Sequence, residues 1–423
     1  MELQQIDPAL ERLDRLKVRE VQTNPGHTAS TFLAKFQSIA ASLEPDERIK
    51  LVVEAYNNSM ESLKTVLFNP QANKICSLFW RYDGKEDVNS IIPLLINNCP
   101  ELASLQVEFG NHFEFDFVSS MLEHPSNRIK VLVLPQYTRG NIPRFFAALG
   151  QSQVSAIDIR GASPPGFAQD LCEYLAKDLL VRLKVTMNHN QVPPEMTMSL
   201  AKCTRLAQLK WVWCRLSQST AFPKSITTLT LDDCTFVGGV DWSSLSDSNV
   251  QELDFRSVKR VDGNQFGNAL AAHLRAKELD MLRLYYCDFA DETLAVVGVD
   301  IGRIKRLMLE DGRVNDASIA QIAIALKSPN SELQELALRY NDNTASSIET
   351  HLVPALKHPD CNLIKLSLPA YQEHREAARR VESKFCDRLA LFALLQGRQV
   401  RRLYCPLRRL PVEMFRLVGQ MLN

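Results

Sequence analysis

Neither sign of charge is in excess: 49 Lys and Arg stand against 49 Asp and Glu, and the formal net charge is zero. Proteins that attract nucleic acid or anionic membranes through their overall field carry surplus cations, so neither is expected as a general partner. Long apolar runs are also missing, and nothing approaches the roughly 18 residues that a membrane-crossing helix needs. Met1-Glu2-Leu3-Gln4-Gln5 lacks the basic and apolar regions of an export signal. The ten cysteines form no C-x-x-C pair. That spacing argues against zinc and for reduced core thiols, and hence for a cytoplasmic protein. There is no G-x-x-x-x-G-K-[ST] loop, no G-x-G-x-x-G turn, no H-E-x-x-H and no G-x-S-x-G. The eight histidines are scattered without ligand spacing. The expectation is a chain with no catalytic residues, no metal and no cofactor.

What the chain does have is repetition. Leu333-Gln334-Glu335-Leu336-Ala337-Leu338-Arg339-Tyr340-Asn341 reads L-x-x-L-x-L-x-x-N. Thirteen segments share its frame, with apolar residues three and five positions after the first. They start at Ile75, Leu102, Ile129, Val154, Leu180, Leu206, Ile226, Val250, Leu279, Ile304, Leu333, Leu363 and Val400, at intervals of 20 to 37 residues. The period of two puts Leu336 and Leu338 on one side of a strand, with Ala337 and Arg339 on the other. Three residues beyond the last leucine the slot holds Asn188, Cys214, Cys234, Cys287 and Asn341 in five repeats, and Asp83, Gly110, Gly312 and others elsewhere, so the ladder is imperfect. An inward Asn there can bond backbone groups that the turn leaves unpaired, and a Cys fills the same space.

Helical patterns separate the strands, as in Asn315 to Leu326, where Ile319, Ile322 and Leu326 share a face and Asp316 can cap. They stop at Asn98-Cys99-Pro100, His124-Pro125-Ser126, Ser328-Pro329-Asn330 and His358-Pro359-Asp360. Proline removes a donor and restricts its predecessor, so each helix ends there and a strand follows. A doubly wound enzyme sheet would have strands apolar on both faces. Here the outward positions include Asp158, Arg160, Lys184, Asp232, Arg256 and Glu310, so one face is wet. No unit buries its own apolar face, and neighbours must stack.

These residues resemble the leucine-rich repeat family, in its ribonuclease-inhibitor-like class of about 28 residues per repeat, over roughly residues 70 to 410. The resemblance implies an α/β solenoid of horseshoe shape, with a parallel sheet on the concave face and helices on the convex face. Three regions are expected: a helical N-terminal cap over 1–70, the solenoid over 71–370, and a C-terminal capping repeat and helix over 371–423. Within the first, helices are expected after Asp7-Pro8, from Thr28 to Ser42, and from Glu44 through Leu51, Val52, Met60, Leu63 and Leu67. Ser217 to Ser225 and Gly238 to Ser248 are too short for a real helix. Tyr371 to Gln396 reads as a long helix, and Pro411 starts a last one whose stripe is Met414, Leu417, Val418 and Met421.

The expected function is a non-enzymatic scaffold, monomeric, binding another protein through its concave face. Arg256, Arg283, Tyr285, Met308, Glu310 and Arg339 leave adjacent strands on that face, and Arg, Tyr and Met are types that carry interface energy. The competing view is a solvated face of alternating charge. Two other functions stay open. The tail Leu407 to Leu422 resembles the opening helix of an F-box, which implies a substrate receptor of a ubiquitin ligase. One leucine-rich-repeat family activates GTPases, and Arg81 or Arg139 could then serve as the arginine finger.

Overall fold

The computed structural model describes residues 17–23, 28–54, 59–82, 88–109, 113–134, 138–161, 166–217, 220–238, 240–341 and 347–368. The chain divides into two compact units that part between Val250 and Gln251. Among the described residues the first unit contains nine ladder strands: β1 (Lys17–Gln22), β2 (Glu47–Val53), β3 (Ile75–Tyr82), β4 (Ser104–Phe109), β5 (Val131–Leu134), β6 (Ala156–Arg160), β7 (Arg182–Thr186), β8 (Gln208–Val212) and β9 (Thr228–Asp232). They lie side by side in chain order, and each pairs in parallel with the next. The second unit contains β10 (Glu252–Arg256), β11 (Leu279–Tyr285), β12 (Ile304–Glu310), β13 (Glu335–Ala337) and β14 (Lys365–Ser367), again parallel and in order. Parallel neighbours in sequence order require the chain to leave the sheet and return after every strand. In each unit this is the stacking of a leucine-rich-repeat solenoid.

The apolar frame accounts for the core. The first residue of every segment from Ile75 to Leu363 is at most 4% exposed, and the inward pairs such as Leu282 and Leu284, or Leu307 and Leu309, are fully buried. Helices pack against that inward side. The Trp80 ring centroid lies 6.0 Å from Phe117, and that of Phe255 lies 5.2 Å from Phe266. Helices end at the proline turns as expected, and the histidines there have a structural use. His124 Nδ1 accepts from Ser126 N at 3.2 Å, and His358 Nδ1 accepts from Asp360 N at 3.4 Å. Helix Asp316–Leu326 is capped by Asn315, whose Oδ1 accepts from Ala317 N at 2.8 Å and from Ser318 N at 3.1 Å. The cap is therefore one residue earlier than Asp316.

The expectation of an all-helical segment over 1–70 is corrected. Lys17–Gln22 and Glu47–Val53 are strands of the sheet, so strand stacking starts well before Ile75. In Glu47-Arg-Ile-Lys-Leu-Val-Val the inward residues Ile49, Leu51 and Val53 are fully buried at a period of two, Val52 is covered as well, and a helix begins only at Ser59. The helix at Thr28 to Ser42 does form, over Ala29–Ala41, with a capping box between Thr28 and Thr31. The short repeats behave nearly as expected. Arg215–Ser217 pairs with Thr235–Val237 as a second small ladder, and Ser243–Asp247 manages a single helical turn. The expected helices after Asp7-Pro8, at Tyr371 to Gln396 and from Pro411, and the strand at Val400, lie outside the described residues.

The turn slot behaves as its chemistry requires at four positions. Cys214, Cys234, Cys287 and Asn341 are at most 3% exposed. Asn341 Nδ2 donates to Leu309 O at 2.7 Å, and its Oδ1 accepts from Gly312 N at 2.9 Å and Val314 N at 3.3 Å. Cys287 Sγ reaches Phe255 O at 3.6 Å. Asn188 is the exception: it is exposed, in the left-handed region at φ +47°. In the later repeats the left-handed residue comes one position earlier, at Trp213, Asp233, Ser257, Tyr286, Asp311 and Tyr340. The slot residue there is turned inward, whereas at Asn188 the offset turns it out.

All eight described cysteines are free, and only Cys172 is not buried. Burial pushes the thiols of Cys99, Cys203 and Cys287 up to about 12. Burial, then a hydrogen bond with Cys234, pushes Cys214 up as well. The thiolate is the reactive form, so native-state labelling at pH 8 followed by peptide mapping is expected to modify Cys172 first among the eight described cysteines. The seven buried thiols should react only after urea unfolds the chain. Rapid native labelling of Cys214, Cys234 and Cys287 would show that the ladder is open.

A second packing device escaped the repeat pattern. Gly263 and Gly267 sit one turn apart on helix Gly263–Ala276, against helix Ala290–Val297. A Cβ on Gly267 would stand 2.9 Å from Val296 Cβ and 3.1 Å from Thr293 O. One on Gly263 would stand 2.7 Å from Glu292 Cβ. In an exposed helix Gly→Ala stabilises by up to about 1 kcal/mol. Here the overlap reverses the sign: Gly267→Ala is expected to cost about 1–2 kcal/mol, measured as a lowered urea midpoint.

Candidate functional site

The six residues singled out from the sequence all fall within the second unit. Register places Asp254, Arg283, Met308 and Ala337 in one row across β10 to β13. Arg256, Tyr285 and Glu310 form the next row. Arg339 follows β13, with its carbonyl accepting from Asp311 N at 2.9 Å. Its side chain is exposed, while Arg256, Arg283, Tyr285, Met308 and Glu310 are half-buried. Adjacent parallel strands lie about 4.8 Å apart, so these side chains stand shoulder to shoulder.

Asp254 organises the group. Its carboxylate accepts from Arg256 Nη2 at 2.6 Å and Nε at 3.0 Å, with Arg283 Nη1 at 3.7 Å. Arg283 Nη2 also touches Met308 Sδ at 3.1 Å. Asp254 is only 7% exposed, so one shielded carboxylate fixes the Arg256 guanidinium and attracts that of Arg283. Tyr285 meets Tyr286 edge to face at 4.5 Å, and Tyr286 and Tyr340 are each about half exposed. A hydrogen bond with Asp311 pushes the Tyr286 phenol up to about 12. Tyr286 and Tyr340 were not singled out from the sequence. Their signal is positional, two residues past the last inward leucine, where a left-handed residue throws its side chain outward.

In the first unit the outward charges are largely committed to one another. Arg81 Nη2 and Nε donate to Glu108 Oε2 at 2.7 and 2.9 Å, with the guanidinium 5.6 Å from the Phe79 ring. An arginine finger has to reach out to a phosphate, and Arg81 is held within its own sheet. The side chain of Arg139 and the segment Leu407 to Leu422 lie outside the described residues. A cavity of about 60 Å³ lies beside Leu95, Cys99, Met121 and Asn127, below the few hundred Å³ of a small-molecule site. Among the described residues, no group of three or more His, Cys, Asp or Glu could hold a metal ion. No helix there is long and apolar enough to cross a membrane.

No known protein family matches the chain, and no curated protein matches it. Among solved structures it is similar to an internalin (InlF) from Listeria monocytogenes. The identity is 11%, covering 79% of this chain and 93% of that one, with a TM-score of 0.41. It is also similar to TLR13 in its complex with ssRNA13, at 12% identity, covering 84% of this chain and 61% of that one, with a TM-score of 0.35. Likenesses this distant carry nothing about function. The fold follows from the ladder itself: in both units the chain is an α/β leucine-rich-repeat solenoid.

Proposed function

We propose that this chain is a non-enzymatic interaction scaffold of the ribonuclease-inhibitor-like class. It works as a monomer in the cytoplasm and grips another protein with the outward face of β10 to β13. The observation that supports this is the Asp254 clamp. Interface side chains lose about 0.5–1.5 kcal/mol each when a complex immobilises them, and a guanidinium already fixed loses less. Arg256 is fixed by two hydrogen bonds before any partner arrives, and Arg283 stands beside the same carboxylate and the Met308 thioether, next to two tyrosine rings. These are the types that dominate measured interface energies. The outward charges of this face balance, with Arg256, Arg283, Arg306 and Arg339 against Glu252, Asp254, Glu310 and Glu335. The fitting partner is therefore a mixed polar and aromatic protein surface rather than a polyanion. The test is affinity capture with the wild type and with Arg283→Ala/Tyr285→Ala, in which loss of the partner upholds this function and full retention ends it.

A further inference from the structure

The two shortest repeats bring a pair of thiols together. Cys214 and Cys234 fill the turn slots of successive repeats, and no other two successive slots both hold cysteine. Their register is fixed from both sides. Val212 pairs with Asp232 at the ends of β8 and β9, and Arg215 pairs with Thr235 at the start of the small ladder beyond. Thr235 N also donates to Cys214 O at 2.9 Å. Cys214 and Cys234 are therefore direct neighbours across two parallel chains. Such chains lie about 4.8 Å apart, and a disulfide spans Cα separations of about 4.4–6.8 Å.

Both thiols are turned inward and buried. Cys214 Sγ lies 3.2 Å from Val212 O and 3.6 Å from Val185 O, and Cys234 Sγ lies 3.5 Å from both Asp232 O and Trp211 O. The two thiols also hydrogen-bond to each other. That bond draws Cys234 below the ordinary thiol value, while burial, and then the same bond, holds the proton on Cys214. One sulfur is prepared to lose its proton with a second thiol beside it, the arrangement of an attacking and a resolving cysteine. Cys287 is the contrast. It is equally buried, with Phe255 O at 3.6 Å and Tyr285 O at 3.5 Å, but the slots on either side of it hold Val258 and Gly312.

We infer that Cys214 and Cys234 are a redox pair, which a peroxide closes into a disulfide across the two shortest repeats. The Cys234 thiolate attacks one peroxide oxygen and the O–O bond breaks. The departing hydroxide takes up the proton released from Cys234, leaving water and a sulfenic acid. Cys214 Sγ then attacks the Cys234 sulfur, the S–O bond breaks, and hydroxide leaves with the Cys214 proton as a second water. Two thiols and one peroxide become one disulfide and two waters, and the electrons lost by the sulfurs reduce the peroxide. An alkylating reagent must open the turn to reach either sulfur. Peroxide is little larger than water, so it oxidises the pair slowly in the folded chain. The new bond ties residues 20 apart in sequence, which restricts the unfolded chain and stabilises the folded one. The pair acts whether or not the outward face of the second unit takes a partner.

The test exposes the full, reduced chain to hydrogen peroxide, blocks the remaining thiols in urea, and maps peptides by mass spectrometry without reductant. The peroxide dose is set so that the less buried Cys172 is converted. The expected product joins the peptides of Cys214 and Cys234, is about 2 Da lighter than the two reduced peptides together, and is split by dithiothreitol. Cys287 should stay reduced, as a buried thiol in the same kind of slot with no thiol in the next. The oxidised chain should unfold at higher urea than the reduced one, and dithiothreitol should reverse the shift. Cys234→Ala should lose both the cross-link and the urea shift. If that variant folds poorly, the map of the wild type decides alone. No bond between Cys214 and Cys234 once Cys172 is oxidised, oxidation of Cys287 as fast as the pair, or a cross-link formed only in urea would each overturn the inference.

Discussion

Arg283→Ala with Tyr285→Ala should abolish capture of the protein partner and barely move the melting curve. Both side chains leave β11 on one face. A partner covering them desolvates a phenol and a guanidinium together, the setting in which a truncation costs at least about 2 kcal/mol. For two such truncations the expected loss is a factor of several hundred or more in affinity, below detection in a pull-down. Folding feels much less. Asp254 keeps its two close bonds from Arg256 when Arg283 is removed, so no shielded charge is stranded. Tyr285 gives up its edge-to-face contact with Tyr286, worth about 0.5–1.5 kcal/mol. The stability change should therefore be about 1 kcal/mol, by thermal or urea melting. Arg256→Ala is the poorer probe, because it strips Asp254 of those bonds and mixes a folding defect with a binding defect. If the double variant keeps every partner of the wild type, the outward face of the second unit is only solvated surface.

The largest stability loss is expected at Asn341. Truncation to Ala removes the acceptor for Gly312 N and Val314 N and a donor to Leu309 O, all in a slot 3% exposed. A buried polar group left unpaired costs about 1–3 kcal/mol. Asn341→Ala should therefore destabilise the second unit by about 3 kcal/mol. Cys287→Ala in the equivalent slot loses only weak S–H contacts to Phe255 O and Tyr285 O and a small apolar volume, about 1 kcal/mol. Equilibrium urea unfolding followed by far-UV circular dichroism measures both. Equal costs at the two positions would mean that the slot is filled for volume and that its hydrogen bonds contribute nothing.

The strands from Ile75 to Leu363 were legible because their requirement is local and repeated: inward residues must be apolar at a period of two. The first two strands were not. Val21 is the one buried residue of Lys17–Gln22, too little for a pattern, and helix and strand frames overlap from Glu47 to Leu67. The six site residues could be placed on one face from parity alone. Asp254 could not be identified as their organiser, because outward parity says nothing about which of several acids and bases will pair.

By itself the sequence determined that the chain stacks strands in parallel, which residues face inward, and that Cys214, Cys234, Cys287 and Asn341 fill the turn. Each of these follows from burial and backbone hydrogen bonding within one repeat. Only the tertiary structure decided which charges are neighbours. Lys184 and Lys210 are 26 residues apart, yet the register sets them side by side, while Asp254 reaches Arg283 across a strand. It also decided that Gly267 must have no side chain, because the surface that forbids one belongs to another helix. Coulomb and packing terms depend on distances between repeats. Those distances exist only once insertions of unequal length have been folded out of the sheet and the strands have come into register.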